Sequence, residues 1–137
     1  MSVAVDMFTS ILIVDDNQGV RSTLMRILQK GQEFRVVGEA EDGSEALELA
    51  RALLPDLILM DLAMPRVNGL EATRRIKLER PETKVIIFTR HQEDAYRQAA
   101  AQSGADAFLT KGAQLAELLA TIRQVVQAGP NRETAPV

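Results

Sequence analysis

The sequence predicts a doubly wound α/β sandwich, and three observations carry that expectation. Short apolar runs recur along the chain: Ile11-Leu12-Ile13-Val14, Leu57-Ile58-Leu59-Met60, Val85-Ile86-Ile87-Phe88 and Ala107-Phe108-Leu109-Thr110. Runs of Val, Ile, Leu and Phe without polar alternation are the mark of strands buried on both faces, as in a parallel sheet. Between them lie longer segments in which apolar residues return at helical spacing, the pattern of crossover helices. Each run also leads directly into a polar residue: Asp15-Asp16, Asp61, Thr89 and Lys111 respectively. All strands of a parallel sheet end on one edge, and open α/β sheets bind ligands in the crevice there. The topology would therefore gather three carboxylates, one hydroxyl and one ammonium from distant parts of the chain.

The elements follow in order. Residues 1–9 read as a leader, and a first strand covers about Ser10 to Val14. Val20, Leu24, Ile27 and Leu28 share a helical face, so a helix follows Asn17 and stops near Gly31. A second strand spans Phe34 to Ala40. Asp42 with Glu45 three residues on makes a capping box, opening a helix whose apolar face is Ala46, Leu47, Ala50, Leu53 and Leu54, with Pro55 ending it. The third strand, Asp56 to Met60, is separated by the loop Met64 to Gly69 from a helix carrying Leu70, Thr73 and Ile76 and halted before Pro81. A fourth strand, Lys84 to Phe88, precedes the weakest helix, whose stripe of Ala95, Tyr96, Ala99 and Ala100 buries little surface. The fifth strand, Asp106 to Leu109, leads to the clearest helix, with Leu115, Leu118, Leu119, Ile122, Val125 and Val126 on one face and Gly129-Pro130 closing it. One domain over residues 10–128 is expected, with 129–137 as a tail or the start of a linker.

Composition narrows the function. A chain of 137 residues has single-domain length, and such a fold removes roughly two-thirds of its unfolded surface from water. Its 16 basic residues against 19 acidic ones give a formal charge of -3, which disfavours nucleic-acid binding by this domain alone. The absence of cysteine excludes a disulfide framework and a thiolate metal site. The first apolar run is cut short by Asp15-Asp16, so neither a signal peptide nor a membrane span is expected, and the setting predicted is cytoplasmic.

Three acids at one sheet edge supply hard oxygen ligands. Mg2+ suits them, since it takes one or two protein carboxylates plus phosphate oxygens and keeps several waters. Like charges brought together are unfavourable until a divalent cation or Lys111 offsets them, so the cluster without a cation should be strained. Asp61 could then attack phosphorus while cation and ammonium stabilise the equatorial oxygens and Thr89 donates a hydrogen bond to one of them, giving an aspartyl phosphate. Taken singly, each residue has a plainer reading: a helix N-cap for an Asp after a strand, a strand-end cap for Thr89, a solvated charge for Lys111. It is the joint placement, each directly after its own buried strand, that points to chemistry.

At these residues the sequence resembles the receiver domain of bacterial two-component response regulators. The resemblance rests on Ile11 to Asp16, Asp42 to Leu47, Leu59 to Pro65, Gly69, Thr89 and Gly104 to Lys111. Val36-Val37-Gly38-Glu39-Ala40 further resembles the NarL-type branch, whose members usually carry a helix-turn-helix DNA-binding domain behind a linker. The resemblance implies a flavodoxin-like strand order, 2-1-3-4-5. It also implies phosphotransfer to Asp61 from a histidine kinase or phosphotransfer protein, the domain acting only on its own phosphoryl group. Asp15, Asp16, Asp61 and the backbone carbonyl of Ala63 would bind Mg2+, and Lys111 would pair with the phosphoryl group. Thr89 and Phe108 would act as switch residues that alter the face made by the fourth helix, fifth strand and fifth helix, with a phosphorylation-dependent homodimer as one outcome. Ala63 and His91 lie where the family governs phosphoryl lifetime.

Some positions depart from the family pattern. Lys111 is followed by Gly112 where many receivers have a cis proline, Phe108 lacks a phenolic hydroxyl, and Arg90-His91 follows Thr89 where a small residue is often found. Two other functions are weighed against the switch. A receiver-like scaffold has no chemical need for Asp15, Asp16, Asp61, Thr89 and Lys111 together. A metal-dependent phosphatase would want an acid two residues after the first-strand Asp, where Asn17 stands, and an insertion for a substrate cap. Neither G-x-G-x-x-G nor G-x-x-x-x-G-K-[ST] occurs, which removes the common nucleotide-binding readings.

Overall fold

The computed structural model describes residues 8–64 and 67–128. These form β1 (Thr9–Val14), α1 (Gln18–Leu28), β2 (Phe34–Ala40), α2 (Gly43–Leu53), β3 (Leu57–Met60), α3 (Gly69–Glu79), β4 (Lys84–Thr89), α4 (Asp94–Gln102), β5 (Ala107–Thr110) and α5 (Leu115–Gln127). All strand pairs are parallel, in the order β2-β1-β3-β4-β5, the flavodoxin-like arrangement expected. The Gly129-Pro130 stop, most of the leader, the tail, and Pro65-Arg66 of the β3–α3 loop lie outside the described residues.

Strand alternation divides the core into two layers. Ile11, Ile13, Leu57, Leu59, Ile86 and Phe88 point to the side covered by Leu24 and Leu28 of α1 and by Leu118, Ile122 and Val125 of α5. Leu12, Val14, Ile58, Met60, Val85 and Ile87 point to the side covered by Ala46, Leu47 and Ala50 of α2, Ala72 and Ile76 of α3, and Ala100 of α4. A bulge lies on the edge pair, where Ile11 faces Val36 and Leu12 faces Gly38, leaving Val37 out of register.

Local chemistry explains the helix ends. The side chains of Asn17, Asp42 and Asn68 each accept a hydrogen bond from the backbone N–H three residues on, capping α1, α2 and α3. Glu45 also reaches back over the cap, its Oε1 accepting the Glu41 N–H at 3.0 Å, one residue before the N–H that a capping box uses. Helices α4 and α5 have no side-chain cap.

Helix α1 ends at Leu28 with Gln29 as its C-cap, near Gly31 as expected, and β1 begins at Thr9, but several other expectations need correction. Leu53 and Leu54 do not belong to the buried face of α2: they are 39% and 50% exposed, because the chain turns left-handed at Leu54 (φ 50°) and leaves the layer. Leu115 begins α5 beyond the end of the sheet and is 47% exposed. In α4 the thin stripe buries less than its spacing suggests, as Ala95 and Tyr96 face solvent and Ala100 alone is buried.

Two glycines bring the β3–α3 loop close to the site edge. Gly69 donates its N–H to the Leu62 carbonyl at 2.9 Å, and a Cβ there would stand 1.9 Å from the Asp61 carbonyl oxygen. Gly43 donates to the Val67 carbonyl at 2.9 Å, and a Cβ would stand 2.1 Å from that oxygen. Both contacts are with backbone, which cannot swing aside.

Candidate functional site

Parallel register places the strand ends side by side: Val14 faces Met60, Met60 faces Ile87, and Thr89 faces Thr110. The residues that follow must then meet at one edge. Asp15, Asp16, Asn17, Asp61, Ala63, Thr89, Arg90, His91 and Lys111 line one polar cavity of about 230 Å³. A larger cleft of about 550 Å³ between α1 and α5 is mostly apolar and shares Asn17 and Lys111 with it, but holds none of the acids.

Asp15 and Asp61 are buried while Asp16 is exposed, and one carboxylate oxygen from each lies within 4.8 Å of the others. Lys111 is not centred among them. Its ammonium sits 2.5 Å from Asp15 Oδ2 and 3.6 Å from Asp61 Oδ1. Asp15 is further held through Oδ1, which accepts the Asn17 N–H at 2.9 Å. Asp61 accepts the Leu62 N–H on Oδ1 at 3.0 Å. Burial, and next the negative charge of Asp15, push the Asp61 carboxyl above its ordinary value, only partly opposed by Lys111. This is the strain expected of three acids with one ammonium. The donor set of hard oxygens, without thiolate or imidazole in the acid cluster, fits Mg2+, and a divalent charge would relieve that repulsion.

Thr89 is fully buried, and its Oγ1 accepts the His91 N–H at 3.3 Å. Its carbonyl accepts the Lys111 N–H at 2.7 Å, which ties β4 to the residue carrying the ammonium. The His91 ring packs on Tyr96 with centroids 4.8 Å apart, joining the cavity rim to α4. Phe108 is half-buried on the layer covered by α2, α3 and α4, and the Arg97 guanidinium of α4 lies 4.7 Å from its ring centroid. It stands away from the acids, on the face beside α4. No peptide among the described residues is cis, so Lys111–Gly112 is trans.

All the residues singled out for the edge except Phe108 meet in the cavity. Sequence reasoning missed Arg21. Its Nη1 donates to the Asp15 carbonyl at 2.6 Å and its Nε to Glu39 Oε1 at 2.9 Å. The available signal was its place one helical turn after Asn17, on the side of α1 nearest the paired acids.

Among the described residues no helix is long and apolar enough to cross a membrane. A family model described as the response regulator receiver domain matches residues 11–123. The response regulator GacA of Pseudomonas aeruginosa is 44% identical over 115 residues, covering 84% of this chain and 54% of its own. The response regulator UvrY of Escherichia coli K12 is 40% identical over 116 residues, covering 85% and 53%. The chain thus spans about half the length of these relatives. Among solved structures, a LuxR-family two-component response regulator from Aurantimonas superposes with a TM-score of 0.85 at 35% identity, covering 90% of this chain and 88% of that one. The response regulator domain of Thermotoga maritima CheB gives 0.80 at 36%, covering 88% and 97%. With the strand order, the acid cluster and the lysine already in place, the match over nearly the whole described domain means that this chain belongs to the response regulator receiver domain family.

Proposed function

We propose that this domain is a phosphorylation-dependent signalling switch, accepting a phosphoryl group on Asp61 from a histidine kinase or phosphotransfer protein in the presence of Mg2+. The observation that carries the reading is the unequal use of Lys111, which sits close on Asp15 and leaves Asp61 buried, crowded and short of countercharge. In the transfer, an Asp61 carboxylate oxygen forms the new bond to phosphorus as the bond from phosphorus to the donor imidazole nitrogen breaks. The imidazole keeps the electron pair and is released neutral once its ring carries a single proton. A Mg2+ ion held by Asp15, Asp16, Asp61 and the Ala63 carbonyl would supply charge for the phosphoryl oxygens. Lys111 shifts from Asp15 toward the product, and Thr89 donates its hydroxyl to a phosphoryl oxygen.

The output runs through the neighbouring face. As Thr89 moves, Phe108 exchanges its packing under Arg97 for the space vacated, and the surface of α4, β5 and α5 changes partner, including a second copy of the chain. Ala63 and His91 flank the path of water to the aspartyl phosphate and set its lifetime. The protein works in the cytoplasm, with transcription as the controlled process through a DNA-binding domain outside this sequence. Incubation with acetyl phosphate and Mg2+, read by intact mass, should give one phosphoryl adduct per chain that is lost in Asp61→Asn and with chelator. Retention of the adduct in Asp61→Asn would overturn the assignment, and absence of any adduct with a competent donor would favour a partner-binding scaffold.

A further inference from the structure

The two acids that follow β1 sit on a tight turn, and besides its own N–H, which pairs with β2, three bonds hold the first of them. Two act on the Asp15 side chain: the Asn17 N–H at 2.9 Å and the Lys111 ammonium at 2.5 Å. The third acts on the backbone, where Arg21 Nη1 donates to the Asp15 carbonyl at 2.6 Å. That carbonyl belongs to the same planar peptide as the N–H of Asp16, so fixing it fixes the direction in which the exposed Asp16 leaves the chain. Arg21 is itself held, since Nε donates to Glu39 Oε1 at 2.9 Å and the side chain is only 14% exposed. Glu39 is the penultimate residue of β2, next to Ala40, whose carbonyl accepts the Asp15 N–H at 3.0 Å. The guanidinium fork thus spans α1, the end of β2 and the acid turn, with Glu39 offsetting a positive charge that would otherwise stand one peptide away from a cation site.

A link between α1 and β2 serves stability through the Glu39 pair alone. The bond to the Asp15 carbonyl belongs to neither helix nor sheet ladder, because that carbonyl lies past the end of β1; it ties α1 to the turn that carries both acids. We propose that Arg21 is a positioning residue for the cation site: it orients the Asp15–Asp16 peptide so that both carboxylates face one ion, with Glu39 orienting Arg21. The inference rests on the reading of Asp15, Asp16 and Asp61 as the Mg2+ site, and extends it to residues that touch neither ion nor phosphoryl group. It behaves as an outer hydrogen-bond shell, whose loss commonly costs metal affinity about ten- to a hundredfold.

The test is titration of the full chain with Mg2+ alone at constant ionic strength, followed by amide chemical shifts, with melting in chelator as a separate control. Arg21→Ala should weaken Mg2+ binding by about tenfold or more. Its phosphoryl adduct should return to the wild-type extent once Mg2+ is raised to saturation. Arg21→Lys should recover part of the affinity, since an ammonium can reach the carbonyl without bridging to Glu39, and Glu39→Gln should lose a smaller factor. If Arg21→Ala melts lower but binds Mg2+ as the wild type does, while Asp16→Asn binds it more weakly, Arg21 is merely structural and the inference falls alone. Should Arg21→Ala not fold, unchanged Mg2+ affinity in both Arg21→Lys and Glu39→Gln overturns it. A wild-type chain that binds no Mg2+ would remove the parent reading as well.

Discussion

At the amino edge of the sheet, Lys77 donates from its ammonium to the Pro81 carbonyl at 3.0 Å, the Thr83 carbonyl at 2.8 Å and Asp106 Oδ2 at 3.0 Å. The same Asp106 oxygen accepts the Val85 N–H at 2.8 Å. At the carboxyl edge, Lys111 faces Asp15 closely and Asp61 at longer range, with Asp16 beside them. Both edges use a lysine and an aspartate, yet one cluster is closed and the other is open. An ammonium has three protons to give; Lys77 has three acceptors, so its charge and geometry are satisfied within the fold. Lys111 is the one ammonium facing three carboxylates, so the cluster at the carboxyl edge carries excess negative charge that an added cation would balance. Complete pairing produces a clamp, and incomplete pairing produces a site.

The largest effect expected separates the two lysines. Lys77→Met should cost about 1.5–3 kcal/mol in urea unfolding, the scale of lost bonds to a charged donor, and leave the adduct on Asp61 intact below the melting temperature. Lys111→Met should do the reverse with Mg2+ present, nearly abolishing the adduct with a smaller change in unfolding. Equal stability losses for the two variants in Mg2+ would break the contrast.

Next comes the pH dependence of the open cluster. In the folded chain Asp61 holds its proton above the ordinary 3.8, because of burial first and Asp15 second, while the unfolded chain releases it at the ordinary value. Stability therefore falls as pH rises through the interval between those two values, and the cost persists at neutral pH. Without Mg2+, Asp61→Asn should be more stable than the wild type at pH 7 by about 0.5–2 kcal/mol, the range usual when a strained functional group is relieved. The gain should vanish as pH falls below the ordinary carboxylate value and shrink with Mg2+. A wild type equal to or more stable than Asp61→Asn at neutral pH without Mg2+ would show that Lys111 already balances the cluster.

The smallest effect concerns the covering helices. Ala100 is the one buried residue of α4, whereas α5 buries Leu118, Ile122 and Val125. Amides of α4 should exchange with deuterium faster than those of α5 in the unphosphorylated chain. Similar protection in both would mean that the Arg97–Phe108 and His91–Tyr96 contacts stabilise α4 more than its buried area suggests.

Much of this was legible in the residues. Strands such as Leu57 to Met60 and Val85 to Phe88 announce themselves because burial on both faces leaves no polar alternation. The box of Asp42 and Glu45 is legible because its partners lie three residues apart. Leu53, Leu54 and Leu115 were misread because helical period continues past the point where the sheet beneath it ends. Arg21 was missed because a charged residue on an early helical turn looks solvated, and its acceptor Glu39 lies 18 positions away.

What the sequence determined by itself was the kind of chemistry and its place: hard acids, a hydroxyl and an ammonium, each at the end of its own strand, because residue type and period are local properties. The tertiary structure decided the pairing, namely that Lys111 leans on Asp15, that Asp61 is left crowded, and that Arg21 grips the acid turn. Those outcomes depend on distances of a few ångströms between segments far apart in the chain, and burial multiplies the electrostatic consequence of each.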